Sequence, residues 1–209
     1  MPVIALVGNK GGAGKTTLCI NLASGMQRRC STLLLDADPQ RSSLQWRDIS
    51  ERDDLVEVLD AVEDVAGMVR RHRDHYDCVM IDCPPSAQSD QTRQALACSD
   101  IAVIPVLPSP LDLWASVHME QELERARSVN PGLRPLMVVN QLEPRTRLSR
   151  LMHEALAEIG LPVAQAAVRR RMAYRNAMLR GHSVLEAGKA AGRAAEEIVQ
   201  LTDEIVRLS

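Results

Sequence analysis

The sequence contains no phenylalanine and only four aromatic residues of the tryptophan and tyrosine types, Trp46, Trp114, Tyr76 and Tyr174. That poverty excludes a surface that holds single strands by stacking bases on aromatic rings, and it leaves the core to Leu, Val, Ile, Ala and Met. No apolar run is long enough to form a membrane-spanning helix. Five cysteines, Cys19, Cys30, Cys78, Cys83 and Cys98, make no Cys-x-x-Cys pair and have no histidine at zinc-ligand spacing. Free thiols in a reducing cytoplasm are expected, not disulfides or a structural metal. The formal net charge is only -2, so the whole chain has no pull toward a polyanion. Lysine is scarce too: of 25 basic residues only Lys10, Lys15 and Lys189 are lysines, and the first two sit inside a glycine cluster.

What is present is a globular composition, 45% hydrophobic and 25% charged over 209 residues, with its charge segregated. Residues 48–64 carry eight acids against Arg52, whereas residues 145–180 carry eight arginines against Glu154 and Glu158. Short apolar runs at 3–7, 31–36, 76–82, 101–106 and 133–140 alternate with helical patterns at about 16–29, 54–74, 89–97, 111–128, 148–158 and 186–207. This rhythm predicts a three-layer α/β fold, a mainly parallel sheet with helices on both faces, formed as one domain over residues 1–209. Between 41 and 60 the pattern is ambiguous: SSLQWRDI reads as a helical turn, and DLVEVL as a short strand or the start of the next helix.

In such sheets ligands sit beyond the carboxyl ends of the strands. Residues 8–16, GNKGGAGKT, fall there and match the phosphate-loop pattern G-x-x-x-x-G-K-[ST]. Backbone N–H groups from Gly11, Gly12, Ala13 and Gly14 through Lys15, Thr16 and Thr17 can turn around phosphate oxygens. Lys15 supplies a point charge, and Thr16 a hydroxyl for magnesium. Asp36 and Asp38 close the second apolar run before Pro39 and Gln40, and Asp82 closes the third. Carboxylates at strand ends beside a phosphate loop can hold a magnesium shell or orient a water, with Asp38 and Asp82 the candidates alongside Thr16. Lys10 has no role in an ordinary loop of this kind; from its position it can reach a neighbouring subunit's phosphates.

KGGAGKT resembles the deviant Walker A motif of the ParA/MinD superfamily of positioning ATPases, and DADPQ resembles that family's D-x-D-P-Q switch. The resemblance covers residues 3–86 in order and spacing and continues through VIPVLPSP and VVNQ. It implies a phosphate-loop ATPase fold with bound ATP and Mg2+, and an ATP-bridged homodimer in which Lys10 crosses to the partner's nucleotide. It also implies that Asp38 is needed for hydrolysis, that Asp82 serves as the Walker B carboxylate and that Asn140 contacts adenine. Guanine is disfavoured, since Asn140 is followed by Gln141, Leu142 and Glu143 and not by a lysine and an aspartate.

Within the superfamily, the short chain is similar to small ParA-type members that segregate plasmids or space carboxysomes over the nucleoid with a small ParB-like or cargo-adaptor protein that stimulates slow hydrolysis. Non-specific double-stranded DNA is then an expected partner, with Arg145, Arg147, Arg169, Arg170, Arg171 and Arg175 as candidate phosphate contacts. VRRRMAYRNAMLR would set Arg171, Arg175 and Arg180 near one side of a helix. A MinD-like membrane-surface role is disfavoured by the last segment, EEIVQLTDEIVRLS, which has four acids against Arg207. A metabolic enzyme that activates a carboxylate with ATP is the remaining alternative; no second constellation of substrate-binding residues stands out after Asp82. Trp46, close behind the switch, reads as either a core anchor or a residue that moves with nucleotide state.

Overall fold

Among the described residues, runs of Val, Ile and Leu too short for helices become six strands: β1 (Val3–Leu6), β2 (Thr32–Asp36), β3 (Glu57–Asp60), β4 (Cys78–Asp82), β5 (Ile101–Val106) and β6 (Arg134–Val139). They pair in the order β3-β2-β4-β1-β5-β6, every pairing parallel. This computed structural model describes residues 2–143, 156 and 160–208. Apart from Leu156, the helical pattern expected at 148–158 lies outside the described residues, as do Arg145, Arg147 and Arg150. Seven α-helices are described: α1 (Lys15–Gln27), α2 (Ser42–Asp48), α3 (Val65–His72), α4 (Asp90–Cys98), α5 (Pro110–Val129), α6 (Met172–Met178) and α7 (Gly192–Leu208). Among the described residues, no helix is long and apolar enough to cross a membrane.

Strand alternation sorts the core into two layers. Ile4, Leu6, Leu34, Met80, Val103 and Val138 face one side, with buried residues of α1, α2, α6 and α7. Ala5, Leu33, Leu35, Ile81, Ile104 and Val139 face the other, with residues of α3, α4 and α5. The central strands β1, β2, β4 and β5 are buried along their whole length, which is why they read as continuous apolar runs.

β3, a strand additional to the five apolar runs, resolves the ambiguous segment, and the long helical pattern expected over 54–74 shrinks to α3. Edge position is the reason: β3 pairs only with β2 and exposes Glu57 and Asp60. Charged residues on a short edge strand break the apolar signal while protecting the edge. Asp64 then starts α3 by accepting the Gly67 N–H at 2.7 Å. SSLQWRD is helical as α2, with Trp46 buried and its Nε1 donating to the His182 carbonyl at 3.3 Å.

The acids of α7 mostly serve the fold. Glu204 accepts the backbone N–H groups of Gln165 and Ala166, Glu197 accepts from Arg171, and Asp203 pairs with Arg29. The apolar face of α7 packs on α1, which is buried almost all round because it lies between the sheet and this helix. Gly25 of α1 is required by that approach: a methyl group there would lie 2.5 Å from Thr202 Oγ1. Alanine normally gains about 1 kcal/mol over glycine inside a helix, but overpacking of a filled contact costs about 1 to 3 kcal/mol. Gly25→Ala is therefore expected to lower stability by about 1 kcal/mol. Adding Thr202→Ala, which removes the clashing oxygen, should recover much of the loss; additive losses in a denaturant-unfolding double-mutant cycle would contradict this packing.

Candidate nucleotide and metal site

The phosphate loop leaves β1 between β4 and β5, where strand order reverses and a parallel sheet opens a crevice. Gly12 and Gly14 take positive φ of 80° and 83°, which glycine adopts without strain. Gly14 also lies where a methyl group would come within 2.6 Å of Asn140 Nδ2. The amides that follow β6 hold the loop from its outer side. Asn140 Nδ2 donates to the Ala13 carbonyl at 2.7 Å, and Gln141 Nε2 donates to the Gly12 carbonyl at 3.1 Å. Asn140 thus stands at the site, with its amide bonded to the loop itself; Gln141 has a left-handed φ of 54° and was not anticipated as a partner.

Lys15 is buried, and its Nζ donates to the Lys10 carbonyl at 3.0 Å. Burial lowers its pKa, an effect opposed by the carboxylates of Asp82 and Asp38. The loop and the two strand-end acids are therefore one electrostatic unit. Lys10 itself is half-buried on the loop.

The three acids divide into distinct tasks. Asp36 is fully buried; its Oδ1 accepts the Asp38 N–H at 3.1 Å and its Oδ2 the N–H groups of Ser43 and Leu44 at 2.9 and 3.0 Å. Both oxygens are used to shape the turn and hold the start of α2. Burial raises its pKa despite these bonds. Asp38 is buried at the turn and accepts the Gln40 N–H at 2.9 Å. Asp82 is fully buried, and burial pushes its carboxyl up to about 7, with Thr16, Ser43 and Lys15 acting against the shift and Asp36 adding to it. Its Oδ2 accepts the Ser43 hydroxyl at 2.9 Å, while Oδ1 has no hydrogen-bond partner among the described residues. An unpartnered buried carboxylate oxygen beside Thr16 and Lys15 fits a magnesium shell, since a cation supplies the missing positive charge. Ser43 escaped the sequence reading because a serine at a helix start ordinarily signals a cap.

Beside the loop, a cleft of about 550 Å³ is lined by Gly14, Thr17, Leu18, Asn140, Tyr174 and the arginine stretch. It can accept a base and sugar continuing from the phosphates. Arg169, Arg170, Arg171 and Arg175 all line it, so the structure brings them to the cleft. The expected helical stripe is corrected: α6 spans only Met172–Met178, Arg171 precedes it and Arg180 follows it. The chain is extended at Arg171, and a turn closes α6 after Met178. Arg171 turns inward to Glu197, with bonds of 3.0 and 2.6 Å, while Arg170 pairs with Glu143 at 2.7 Å. Arg175 is exposed and has no ion pair among the described residues.

The family described as the CobQ/CobB/MinD/ParA nucleotide binding domain matches residues 4–184, spanning the loop, the strand-end acids and the cleft. The chain belongs to that family. It is 41% identical over 207 residues to maintenance of carboxysome distribution protein A of Halothiobacillus neapolitanus, covering 97% of this chain and 95% of the relative. A protein of the same name from Gloeobacter kilaueensis is 30% identical over 216 residues, covering 98% and 94%. Among solved structures, an McdA–ATP complex from Cyanothece shares the fold at a TM-score of 0.81, covering 100% of this chain and 97% of that one at 15% identity. The protein is thus a ParA/MinD-superfamily ATPase, similar over nearly its whole length to proteins named for carboxysome distribution.

Gly14→Ala meets both a disfavoured φ and the Asn140 amide. Backbone strain of about 1 to 3 kcal/mol in the loop should lower affinity for a fluorescent ATP analogue by about tenfold or more. A titration that leaves affinity unchanged would contradict the loop geometry.

Proposed function

We propose that this ATPase spaces carboxysomes over DNA by a cycle of ATP-dependent dimerisation and adaptor-stimulated hydrolysis. The observation that carries the reading is the two-lysine phosphate loop joined to the buried Asp36–Asp38–Asp82 arrangement, in a chain that aligns over nearly its full length with proteins named for carboxysome distribution. All three acids and the loop belong in this reading to one ATPase domain over residues 1–209.

Residues Gly11 to Thr17 would hold ATP, with Lys15 on its phosphates, and Thr16, Asp38 and Asp82 would hold magnesium. Magnesium supplies Lewis-acid neutralisation of the charge that develops on the phosphates. Lys15 would exchange the Lys10 carbonyl for phosphate oxygens, and Asp38 would orient the attacking water. Asn140, which lines the cleft, would contact the adenine of a nucleotide held there. Lys10 extends across the subunit boundary to the partner's nucleotide, so two bound nucleotides bridge a homodimer. Dimerisation brings two copies of the basic stretch onto one face for sequence-independent DNA contact. Arg145, Arg147, Arg169, Arg170 and Arg175 are the phosphate contacts in this reading, with Arg171 more engaged in holding α7 through Glu197. The cargo adaptor is a small ParB-like protein whose contact speeds hydrolysis and releases DNA, so the ATPase resides on the nucleoid.

Lys10→Ala should retain ATP in its own site and lose the ATP-dependent dimer, as measured by light scattering after size exclusion with and without ATP. A mutant that dimerises normally would contradict the bridging role. Asp38→Ala should bind Mg·ATP and hydrolyse it at least about a hundredfold more slowly, by analogy with the loss of other water-orienting groups. Steady-state phosphate release in the presence of adaptor checks this, and an unchanged rate would reduce Asp38 to a turn former.

A further inference from the structure

We propose that Ser43 is a positioning residue for the magnesium shell: its hydroxyl clamps one oxygen of Asp82 so that the other stays directed at the cation. The inference rests on the reading of this pocket as a Mg·ATP site and names a residue that the motifs do not contain. Asp36 and Asp82 are register partners on the adjacent strands β2 and β4, and neither side chain is exposed. Two carboxylates held side by side without solvent repel each other and compete for the same donors. Ser43, itself fully buried, lies between them. Its backbone N–H donates to Asp36 Oδ2 at 2.9 Å and its hydroxyl to Asp82 Oδ2 at 2.9 Å.

One residue therefore gives each carboxylate a separate donor. The division matters because the carboxyl torsion of an aspartate is broad and not locked into one well. With Oδ2 fixed by Ser43, Oδ1 is fixed as well, and Oδ1 is the buried oxygen that has no partner among the described residues. Removal of the hydroxyl leaves the backbone bond to Asp36, and with it the start of α2, in place. What is lost is the orientation of Asp82. Partners that hydrogen-bond a metal-ligating group typically change metal affinity by 10–100-fold when removed. A residue that served only to fill space would instead alter stability and nucleotide affinity together, with or without magnesium.

The test compares the intact chain with Ser43→Ala, following the binding and release of a fluorescent ADP analogue first in EDTA and then against free Mg2+. The expected result is unchanged affinity in EDTA and about a tenfold rise in the Mg2+ concentration needed to slow release. Coincident Mg2+ curves for two folded proteins would overturn the assignment. So would a loss of affinity that is equal with and without Mg2+. If circular dichroism shows that Ser43→Ala does not fold, Ser43→Cys, which keeps the volume and offers only a weak donor, is compared in the same way. Release from the unaltered protein that does not respond to Mg2+ at all would overturn the magnesium reading of the pocket and the role of Ser43 with it.

Discussion

The burial of two carboxylates on neighbouring parallel strands, next to one buried lysine, sets the terms for the rest of this structure. A parallel sheet covered on both faces gives Asp36 and Asp82 no water, and each must find compensation from the protein or from a ligand. Asp36 finds it in three backbone N–H groups, which fix the turn at Asp38 and the start of α2. Asp82 finds only part of it, from Ser43 and Thr16, and remains incompletely compensated beside Lys15, with Oδ1 unpartnered among the described residues. That residual imbalance makes the pocket receptive to a cation with its polyphosphate. The same arrangement gives α2 a direct connection to the chemistry, since its first turn is held by the carboxylates.

The opposite end of α2 extends the connection. Trp46 donates to the His182 carbonyl, and Gly181 approaches so closely that a methyl group there would lie 2.7 Å from the Ser50 backbone. Ile49 lines the same cleft as the arginine stretch. The cleft, the end of α2 and the turn after α6 therefore share one packed contact. Meanwhile α7 fixes the arginine stretch by Glu197 and the segment before it by Glu204. The acidity of the last helix has an internal explanation, because its carboxylates terminate backbone and guanidinium groups that would otherwise be unpaired.

Much of this was legible from residues whose types admit few readings. GNKGGAGKT needs glycine at the positive φ of Gly12 and Gly14, so the loop declared itself. The central strands showed as unbroken apolar runs because both faces are buried. β3 was ambiguous because an edge strand has one neighbour and carries acids, and periodicity alone does not separate such a segment from a helix start. In DADPQ the resemblance singled out Asp38 and gave Asp36 no task of its own; the fold shows that Asp36 is saturated by backbone donors. Ser43 was invisible for a related reason: its partner Asp82 lies 39 residues away, and no local spacing encodes a contact between the start of α2 and the end of β4. The arginines were legible as charge but not as geometry, since the brevity of α6 and the pairing with Glu197 depend on the position of α7.

The central claim is that nucleotide state controls attachment to DNA. Fluorescence anisotropy of unrelated labelled duplexes, titrated with the unaltered protein in ATP and in ADP at several salt concentrations, tests it most directly. The account predicts binding in ATP that is insensitive to sequence and falls steeply with salt, because binding releases condensed counterions and that release is less favourable as salt rises, with little binding in ADP. Equal affinity in ATP and ADP, or no affinity in either, would contradict it.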